Sequence, residues 1–395
     1  MHKNILKDHE YKNLIFKMTK GIIISGGWGT RLRPLTCTIP KSLIPVVNKP
    51  VIERQILLLK AAGIKDIVLA VSVMSEILKA YFGNGEKLGI NIQYTDEKTP
   101  LGTAGAIKLA EEYLKDENFF MLNGDVILNF DFKEIIRAHA RHKGLGVIAS
   151  KIVPDTSRYG VIIADEESKK ILKFLEKSEY SPQDEKPIPM PINAGVYILE
   201  PEIFQYIEPN KKVSIERNVF PVLVSEEKLY HYSIPGVWKD IGKPEELLEG
   251  NVLLMKDILK NLPTKKENII DESLNVEGKV LIKPPVTIGE NVVIRKNCQI
   301  GPNVIIGDNV YIGANTELKD TLIYNQAYIS KNVKCEKTII ADNCSLHDGV
   351  QLIGNNQNLV ILSSYVEVLD NIKLIAPSND SLAICHHEVV RLDIS

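Results

Sequence analysis

The chain has 395 residues, more than one compact core usually contains, so two domains are expected. A net charge of -2 with 25% charged residues gives no overall positive field for nucleic acid and no acidic arm. No apolar run approaches the roughly 18 residues that span a bilayer, and five scattered cysteines show neither paired spacing nor a CxxC zinc motif. These features favour a cytoplasmic protein with no nucleic-acid or membrane partner.

Regular structure is expected to begin at residue 20, after an N-terminal extension of residues 1–19. From there to residue 255, short apolar runs alternate with stretches of helical period. In chain order they predict a strand, a helix ended by Gly63, a strand, a helix, a strand and a helix capped by Asp131: "KGIIISG", "VIERQILLLKAAG", "DIVLAVSV", "TAGAIKLAEEYLK", "NFFMLNGD" and "DFKEIIRAHARHKG". This alternation indicates an α/β fold with a Rossmann-like, mostly parallel sheet covered on both faces.

The periodicity changes after "NLPTKKENIIDES", so residues 256–275 are expected to be a linker and residues 276–395 a second domain. Apolar residues then recur every six positions, first as Ile288, Ile294, Ile300, Ile306, Ile312 and Leu318. A second series lies two positions earlier: Val286, Val292, Cys298, Val304, Val310 and Thr316. This pattern is typical of hexapeptide coils that stack into a left-handed parallel β-helix. Less regular repeats extend the predicted β-helix to about residue 376.

Glycine and positive charge are concentrated after the first predicted strand, in "GIIISGGWGTRLRPLTCTIPKSLIPV". Glycines let backbone N–H groups approach phosphate oxygens, and arginines add bidentate contacts. The loop lacks the lysine position of GxxxxGK[ST], and Leu32 stands where GxGxxG needs its third glycine. Ligands of open α/β sheets bind at the carboxyl ends of strands, where this loop and Asp125 are both expected.

Seven segments in order resemble the sugar-1-phosphate nucleotidylyltransferases, and most of all the mannose-1-phosphate guanylyltransferases. They are "GGWGTRLRPLT", "PKSLIPVVNKP", "PLGTAGAI", "NGD", "NAGVYIL", "SIERNVFP" and "GVWKDIGKPEELL". In the reaction that this resemblance implies, a sugar phosphate oxygen attacks the α-phosphorus of a nucleoside triphosphate and releases pyrophosphate. The nucleophile is already an anion, so catalysis needs positioning and charge neutralisation and no general base. No Ser/His/Asp or Cys/His arrangement stands out in the sequence.

The resemblance also implies roles for individual residues on the nucleotide side. Arg31 would contact the triphosphate and the departing pyrophosphate, and Lys41 the phosphates nearby. Asp125 and Asp240 correspond to the family's Mg²⁺ ligands, as hard oxygen donors suit a metal that also contacts phosphate. The remaining residues expected around the nucleotide are Gly26, Gly27, Gly29, Thr30, Glu97 and Gly102.

On the sugar side, Glu176 and Lys177 stand where the family has Glu-Lys-Pro, with glutamate on the sugar hydroxyls and lysine on the sugar phosphate. Ser178 replaces the proline, which leaves the charged pair but alters the local turn. The other expected members of the sugar pocket are Gly160, Asn193 and Gly195.

Glu97 bears on the choice of base, because relatives that use uridine or thymidine triphosphate tend to carry glutamine at its position. A carboxylate can accept hydrogen bonds from both N1–H and the N2 amino group of guanine, but would face the O4 of uracil or thymine acceptor to acceptor. GTP is therefore favoured, and mannose-1-phosphate follows from the resemblance. A UTP- or dTTP-dependent glucose-1-phosphate enzyme is the alternative, and Glu97 could also be a solvated loop acid.

Two other classes of function stay open at this point. Hexapeptide β-helices host acyl transfer in some relatives, for which His347, His386 and His387 would be the candidate bases. Some paralogues are non-catalytic regulatory subunits, but they commonly disturb the glycine-rich loop, which is uninterrupted here. The flat faces and coil ends of a β-helix also suit self-association, so a homo-oligomer is expected.

Overall fold

The computed structural model describes residues 20–176 and 189–391, which form two compact units. Within these ranges the first unit contains residues 20–27 and 52–238, and the second contains residues 28–51 and 239–391. The second unit therefore includes a segment from near the start of the chain. The expected extension at residues 1–19 lies outside the described residues, and the domain boundaries at 255 and 275 stay a prediction.

Parallel strands form the centre of the sheet in the first unit. Lys20–Ser25 pairs in parallel with Asp66–Val71 on one side and Phe119–Asn123 on the other, and Asn91–Asp96 extends the sheet beyond Asp66–Val71. The predicted strands are confirmed, and their continuous apolar sequence is explained because Ile22, Ile23 and most of their neighbours are buried. The expected α/β fold is confirmed with them.

The other half of this sheet is largely antiparallel, where a mostly parallel sheet was expected. Met190–Leu199 runs antiparallel to both Phe119–Asn123 and Gly146–Val153, and Ile171–Leu175 runs antiparallel to Val161–Ala164. A turn joins Val161–Ala164 directly to Ile171–Leu175, and so short a connection between paired strands requires antiparallel pairing. Two further strands of this unit are Val126–Asn129 and Leu229–Ser233.

Helices cover the sheet of the first unit: Val51–Ala61, Ser75–Phe82, Gly102–Leu109, Glu111–Leu114, Phe132–Ala140 and Phe220–Ser225. Asp131 caps its helix as predicted, since its carboxylate accepts the backbone N–H of Lys133 at 2.9 Å. The helix predicted from "TAGAIKLAEEYLK" is interrupted at Ala110, where the backbone leaves helical geometry. Shorter helical turns occur at Glu86–Leu88, Pro201–Tyr206 and Ile215–Val219.

The second unit is a parallel β-helix, as the six-residue period predicted. Residues of both series are buried in one continuous core, and strands one coil apart pair in parallel. Its strands are Ile269–Ile270, Asn275–Val276, Leu281–Ile282, Val286–Ile288, Val293–Ile294, Gln299–Ile300, Val304–Ile306, Tyr311–Ile312, Glu317–Ile323, Tyr328–Ile329, Lys334–Ile340, Ser345–Leu346, Gln351–Ile353, Val360–Leu362, Glu367–Val368, Lys373–Ile375, Leu382–Ile384 and Val389–Val390. None of the helices in the described ranges is long and apolar enough to cross a membrane.

The β-helix continues past residue 376, where the sequence pattern placed its end. Val286 pairs with Val304, whereas Val360 pairs with Leu382, so the later coils contain more residues and lose the six-residue register. The sequence analysis also missed an asparagine series at spacing six, which adopts left-handed backbone geometry at the coil corners: Asn291, Asn297, Asn303, Asn309 and Asn315. Asparagine tolerates this conformation better than most residues.

Two other parts of the chain belong to the second unit. Residues 28–51 form the short turns Thr30–Leu32, Leu35–Cys37 and Lys41–Leu43, followed by a hairpin of Pro45–Val46 with Lys49–Pro50. After the strand Val237–Asp240, the helix Pro244–Asn261 leads into the first coil. The backbone N–H of Val47 donates to Asn251 Oδ1 at 2.7 Å, which joins the hairpin to this helix.

Candidate active site

Gly26 and Gly27 follow the first strand of the sheet but differ in their surroundings. The carbonyl of Gly26 accepts the hydroxyl of Ser72 at 2.8 Å, and an added Cβ would lie 3.1 Å from that hydroxyl oxygen. A Cβ on Gly27 would meet nothing within 4 Å. Folding of the loop therefore does not require glycine at residue 27, and the space beside its backbone is open to a ligand.

Gly29 is required by the fold of the loop. Its φ of 58° is left-handed, and a Cβ there would lie 2.9 Å from Thr36 Cγ2 and 3.1 Å from Lys41 Cβ. The hydroxyl of Thr36 donates to the carbonyl of Gly29 at 2.8 Å and fixes the turn that follows. The turn itself buries Leu32 completely and leaves Thr30 and Arg31 exposed. An exposed guanidinium on a fixed turn is available to an anionic ligand.

Lys41 and Asp240 are brought together, although they are far apart in sequence. Lys41 Nζ lies 4.0 Å from Asp240 Oδ1, and both side chains are largely buried, at 10% and 20% exposure. Asp240 is the last residue of its strand Val237–Asp240. The pair places a cation beside a carboxylate in the same unit.

Asp125 lies in the first unit, in a tight turn after the strand Phe119–Asn123. The turn needs Gly124, whose N–H donates to the carbonyl of Ile24 at 2.9 Å and whose added Cβ would lie 2.7 Å from that oxygen. Gln55, which the sequence analysis missed, fixes the same turn: its Nε2 donates to the carbonyls of Asn123 and Val126, each at 2.9 Å. Gln55 is only 1% exposed, but the sequence does not show this, because a polar residue in an amphipathic helix is ordinarily expected to face solvent.

Glu97 lies beside the glycine-rich loop. Its Oε2 accepts the backbone N–H of Leu101 at 3.0 Å, and its Oε1 is 4.0 Å from the Cβ position of Gly26. Burial raises the pKa of Glu97, and the bond from Leu101 opposes that effect. Gly102, the first residue of the following helix, has a φ of 74° and faces the Val213 carbonyl. The structure thus places Glu97 among the glycines expected around the nucleotide.

The expected sugar-side residues Asn193 and Gly195 lie in a bulge of the strand Met190–Leu199. Asn193 Oδ1 accepts the N–H of Gly195 at 3.0 Å, and its Nδ2 donates to the hydroxyl of Tyr197 at 2.8 Å. The backbone N–H of Asn193 donates to the carbonyl of Gly160 at 2.9 Å, so the three expected residues meet. Trp238, which the sequence analysis missed, supports the bulge by donating from Nε1 to the Ala194 carbonyl at 2.9 Å. Bulges of this kind often shape active sites.

Glu176 is 16% exposed at the end of the strand Ile171–Leu175, and its Oε2 lies 3.7 Å from Arg217 Nε. Buried Tyr197 is near enough to Glu176 and Glu216 for their charges to raise the pKa of its hydroxyl, in addition to the larger effect of burial. Glu176 therefore adjoins the bulge that holds Asn193. Lys177 and Ser178 lie outside the described residues.

The candidate metal ligands of the site are the two aspartates Asp125 and Asp240. Across residues 20–176 and 189–391, no cluster of three or more His, Cys, Asp or Glu side chains could hold a metal ion. A pair of aspartates remains, and Mg²⁺ bound with a nucleotide commonly takes one or two carboxylates while phosphate and water supply the other ligands. Asp125 lies in the first unit and Asp240 in the second, and each offers the hard oxygen donor that Mg²⁺ prefers.

The histidines considered for acyl transfer take part in contacts on the surface of the β-helix. His347 Nε2 lies 2.7 Å from Glu367 Oε1 on the next coil, and His387 stacks on Tyr365 with ring centroids 4.8 Å apart. These contacts are typical of the ladders that join neighbouring coils, and they give acyl transfer no support.

Comparisons with known proteins agree with this geometry. Residues 20–257 match the family model described as nucleotidyl transferase, and residues 282–390 match that of the GMPPB C-terminal domain. A mannose-1-phosphate guanyltransferase of Saccharomyces cerevisiae is 43% identical over 272 residues, 67% of this chain and 72% of that protein. The mannose-1-phosphate guanylyltransferase catalytic subunit beta of Danio rerio is 38% identical over 275 residues, 69% of this chain and 73% of that protein.

Two further comparisons extend the similarity along the chain and to a solved fold. A mannose-1-phosphate guanyltransferase of Pichia angusta is 39% identical over 342 residues, 85% of this chain and 91% of that protein. A Bacillus anthracis structure, assigned as a glucose-1-phosphate thymidylyltransferase, shares the fold with a TM-score of 0.53 at 24% identity, covering 63% of this chain and 98% of that one. The match over residues 20–257, with the identity to the curated relatives, shows that the chain belongs to the nucleotidyl transferase family.

Proposed function

We propose that the chain transfers GMP from GTP to mannose-1-phosphate and so forms GDP-mannose and pyrophosphate. The observation that carries this proposal is the position of Glu97, which is partly buried next to Gly26 in the glycine-rich loop. A carboxylate there can accept from the Watson–Crick edge of guanine. The names of the curated relatives, mannose-1-phosphate guanyltransferases, support the same substrates.

In this reaction an oxygen of the sugar phosphate forms a bond to the α-phosphorus of GTP. The bond between the α-phosphorus and its bridging oxygen to the β-phosphate breaks, and pyrophosphate leaves with that electron pair. Both reactants are anions, so the protein must hold them in line and offset the charge that develops on the leaving group. No proton has to be removed from the nucleophile.

Arg31 and Lys41 are proposed to bind the triphosphate and the leaving pyrophosphate. Arg31 is exposed on its fixed turn, and the open space beside Gly27 lets backbone N–H groups approach phosphate oxygens. Gly29 and Thr30 of the second unit and Gly102 of the first are the other residues proposed on the nucleotide side. Together these groups would supply positive charge and N–H donors to the phosphates.

Asn193, Gly195, Gly160 and Glu176 are proposed to bind the sugar, with Lys177 on its phosphate. Asn193 keeps both side-chain ends engaged, on the N–H of Gly195 and on Tyr197, and therefore presents a fixed surface to a sugar. Glu176 supplies a carboxylate that can accept two sugar hydroxyls.

We propose Mg²⁺ as the cofactor, held by Asp125 and Asp240. When bound, the ion would neutralise phosphate charge and orient the α-phosphate. Asp240 would keep its neighbour Lys41 directed toward the phosphates, because their charges attract at 4.0 Å.

A cytoplasmic location and a homo-oligomeric state also stay proposals. The five cysteines are all unpaired, and Cys298, Cys335 and Cys344 are buried in the β-helix core, as expected of a reducing compartment. Burial raises the pKa of the Cys335 and Cys344 thiols to about 12, which makes them structural rather than reactive.

The test is pyrophosphate release with GTP, UTP, dTTP and ATP, each combined with mannose- and glucose-1-phosphate. The highest kcat/KM is expected with GTP and mannose-1-phosphate. Glu97→Gln should move the preference toward UTP or dTTP. Asp96→Asn is the matched control, because Asp96 is the adjacent acid and pairs with Lys79 at 2.8 Å. Faster turnover of UTP or dTTP by the wild-type protein would contradict the proposed base.

A further inference from the structure

The segment that carries Arg31 and Lys41 is fastened directly to the coils of the β-helix. Ser363 Oγ donates to the carbonyl of Pro34 at 3.0 Å, and the hydroxyl of Tyr324 donates to the carbonyl of Pro45 at 3.3 Å. Asn48 Nδ2 donates to the carbonyl of Ile306 at 2.6 Å. All of these residues belong to the second unit.

The anchoring residues form one column along the β-helix. Four strand ends stack in register on successive coils: Ile306, Ile323, Ile340 and Leu362. The residues that follow them at the corner are Gly307, Tyr324, Ala341 and Ser363. From Pro34 to Asn48 the segment passes from the coil of Ser363 to that of Ile306, a span of about 14 Å at the usual spacing of parallel strands.

The chemistry of the column matches the segment. The small residues Gly307 and Ala341 are buried, and a Cβ on Gly307 would meet Asn325 and Tyr324 of the next coil. Ser363 and Tyr324, at 0% and 4% exposure, each direct a hydroxyl outward from the corner to a carbonyl of the segment. The carbonyl of Pro34 also accepts the backbone N–H of Cys37 at 3.1 Å, so the hydroxyl of Ser363 ties a turn of the segment to the coil rather than filling an empty acceptor.

These anchors lie on both sides of the proposed phosphate-binding residues. Pro34 is three positions after Arg31, and Lys41 lies between Pro34 and Pro45. We propose that Ser363 and Tyr324 are positioning residues for the nucleotide side of the reaction, and that the β-helix holds the triphosphate loop in its binding geometry. This inference rests on the proposed function of Arg31 and Lys41.

Ser363→Ala and Tyr324→Phe each remove one anchoring hydroxyl. In the full-length protein, KM for GTP is expected to rise about 5-fold or more, with a fall in kcat, because the loop loses a buried hydrogen bond. KM for mannose-1-phosphate should stay within about twofold, because the proposed sugar residues belong to the first unit. The matched control is Thr321→Val, which removes a buried hydroxyl bonded within the coils, to the Lys319 and Cys335 carbonyls and to Thr338.

Hydrogen exchange of residues 29–48 in the ligand-free protein gives a readout independent of activity. Both anchor variants should exchange faster there than the wild type and Thr321→Val, while the remaining coils keep their protection. Unchanged exchange in that segment would overturn the proposal, as would faster exchange with an unchanged KM for GTP. If the wild type does not use GTP, the proposed function fails by itself, and the exchange result still decides whether the coils hold the loop.

Discussion

The residues proposed for the two substrates are held in place in different ways. Asn193 and Gly195 belong to one strand of the first unit, and Asn193 bonds to groups two and four positions away. Arg31 and Lys41 belong to a segment of turns in the second unit, whose anchors Ser363 and Tyr324 come 329 and 279 positions after the residues they bind. The sugar side is held by a sheet, and the nucleotide side by distant side chains.

This difference indicates that the two sides can be perturbed separately. A strand keeps its geometry through a ladder of backbone bonds, so a side-chain change there removes one contact with the ligand and little else. A segment of turns depends on a few specific contacts, so a change in one of them moves every residue it carries. Substitutions at Asn193 or Glu176 should therefore act on the KM of the sugar phosphate, and those at Arg31 and Lys41 or their anchors on the KM of the nucleotide.

The largest effect is expected from Asp240→Asn, which removes a proposed metal ligand and the carboxylate beside Lys41. Turnover should fall by about 10²- to 10³-fold, as is usual when a main electrostatic contact to the reacting phosphates is lost. The measurement is Mg²⁺-dependent pyrophosphate release, with a thermal melt to show that the fold is kept. Glu249→Gln is the control, since Glu249 bonds Lys239 at the surface with 67% exposure. Normal turnover of Asp240→Asn would refute the proposed aspartate pair.

The sequence predicted strand-borne features of the first unit well, because they are local. Apolar runs predicted the strands Lys20–Ser25 and Phe119–Asn123, and the six-residue period predicted the β-helix. The positions of Gly27 and Asp125 followed from the rule that ligands bind at the carboxyl ends of strands. Each of these patterns is contained in a short, continuous stretch of the sequence.

Contacts between distant segments were not predictable in this way. Gln55 reads as an ordinary polar residue of a helix, yet it fixes the turn that carries Asp125. Ser363 and Tyr324 occupy corner positions of irregular coils, and no local pattern connects them with Pro34 or Pro45. The antiparallel half of the sheet was missed for a similar reason, because its pairing depends on which strands are joined without a crossover helix.

On the sugar side, Glu176→Gln should raise KM for mannose-1-phosphate by about 10- to 100-fold, because a neutral amide replaces charge-assisted acceptors for sugar hydroxyls. KM for GTP should hardly change. Arg217→Gln is the comparison, since Arg217 is 62% exposed and lies 3.7 Å from Glu176. Exposed pairs contribute little, so its effect should stay below about 5-fold. A parallel rise in both KM values would show that the two sides are not separable.

Gly29→Ala and Gly27→Ala compare two glycines of one loop that the structure assigns to different tasks. Alanine at residue 29 would need a φ of 58° and would crowd Thr36 and Lys41, so stability should fall by about 1 to 2 kcal/mol and kcat/KM for GTP by about 10-fold. Alanine at residue 27 meets no neighbour and should leave the melting temperature unchanged.

Steady-state kinetics and thermal melts of the Gly27→Ala variant then distinguish a role of this glycine in GTP binding from a role in the fold. Weaker GTP binding at unchanged stability would show that a phosphate approaches the backbone there. Equal loss of stability in both variants would contradict the assignment of Gly29 alone to the fold.

The last prediction concerns the pH dependence of stability, which is expected to differ between the two units and to affect catalysis least. His231 is buried in the first unit next to Ser150, and burial lowers its pKa to about 4, helped by Lys169 and His142. The folded unit holds this histidine neutral, while the unfolded chain protonates it below pH ~6.5. Stability of the first unit should therefore fall as the pH drops from about 6.5 to 4, by about 2 kcal/mol after allowance for partial exposure to solvent.

Asp342, half-buried in the second unit, should respond in the opposite direction. Burial raises the pKa of its carboxyl, so the folded coils bind a proton more readily than the unfolded chain and gain stability as the pH falls toward its ordinary value. Urea unfolding at pH 6.5 and 4.5 can be followed in a Trp28→Phe variant by the fluorescence of buried Trp238, which reports the first unit, and by pulsed hydrogen exchange of the coil strands, which reports the second. The fluorescence midpoint should move down with acid more than the exchange midpoint, and His231→Gln should abolish most of that difference. Equal shifts of both midpoints would mean that the two units unfold together, and that the loop anchored at Ser363 is coupled to the stability of the sheet as well.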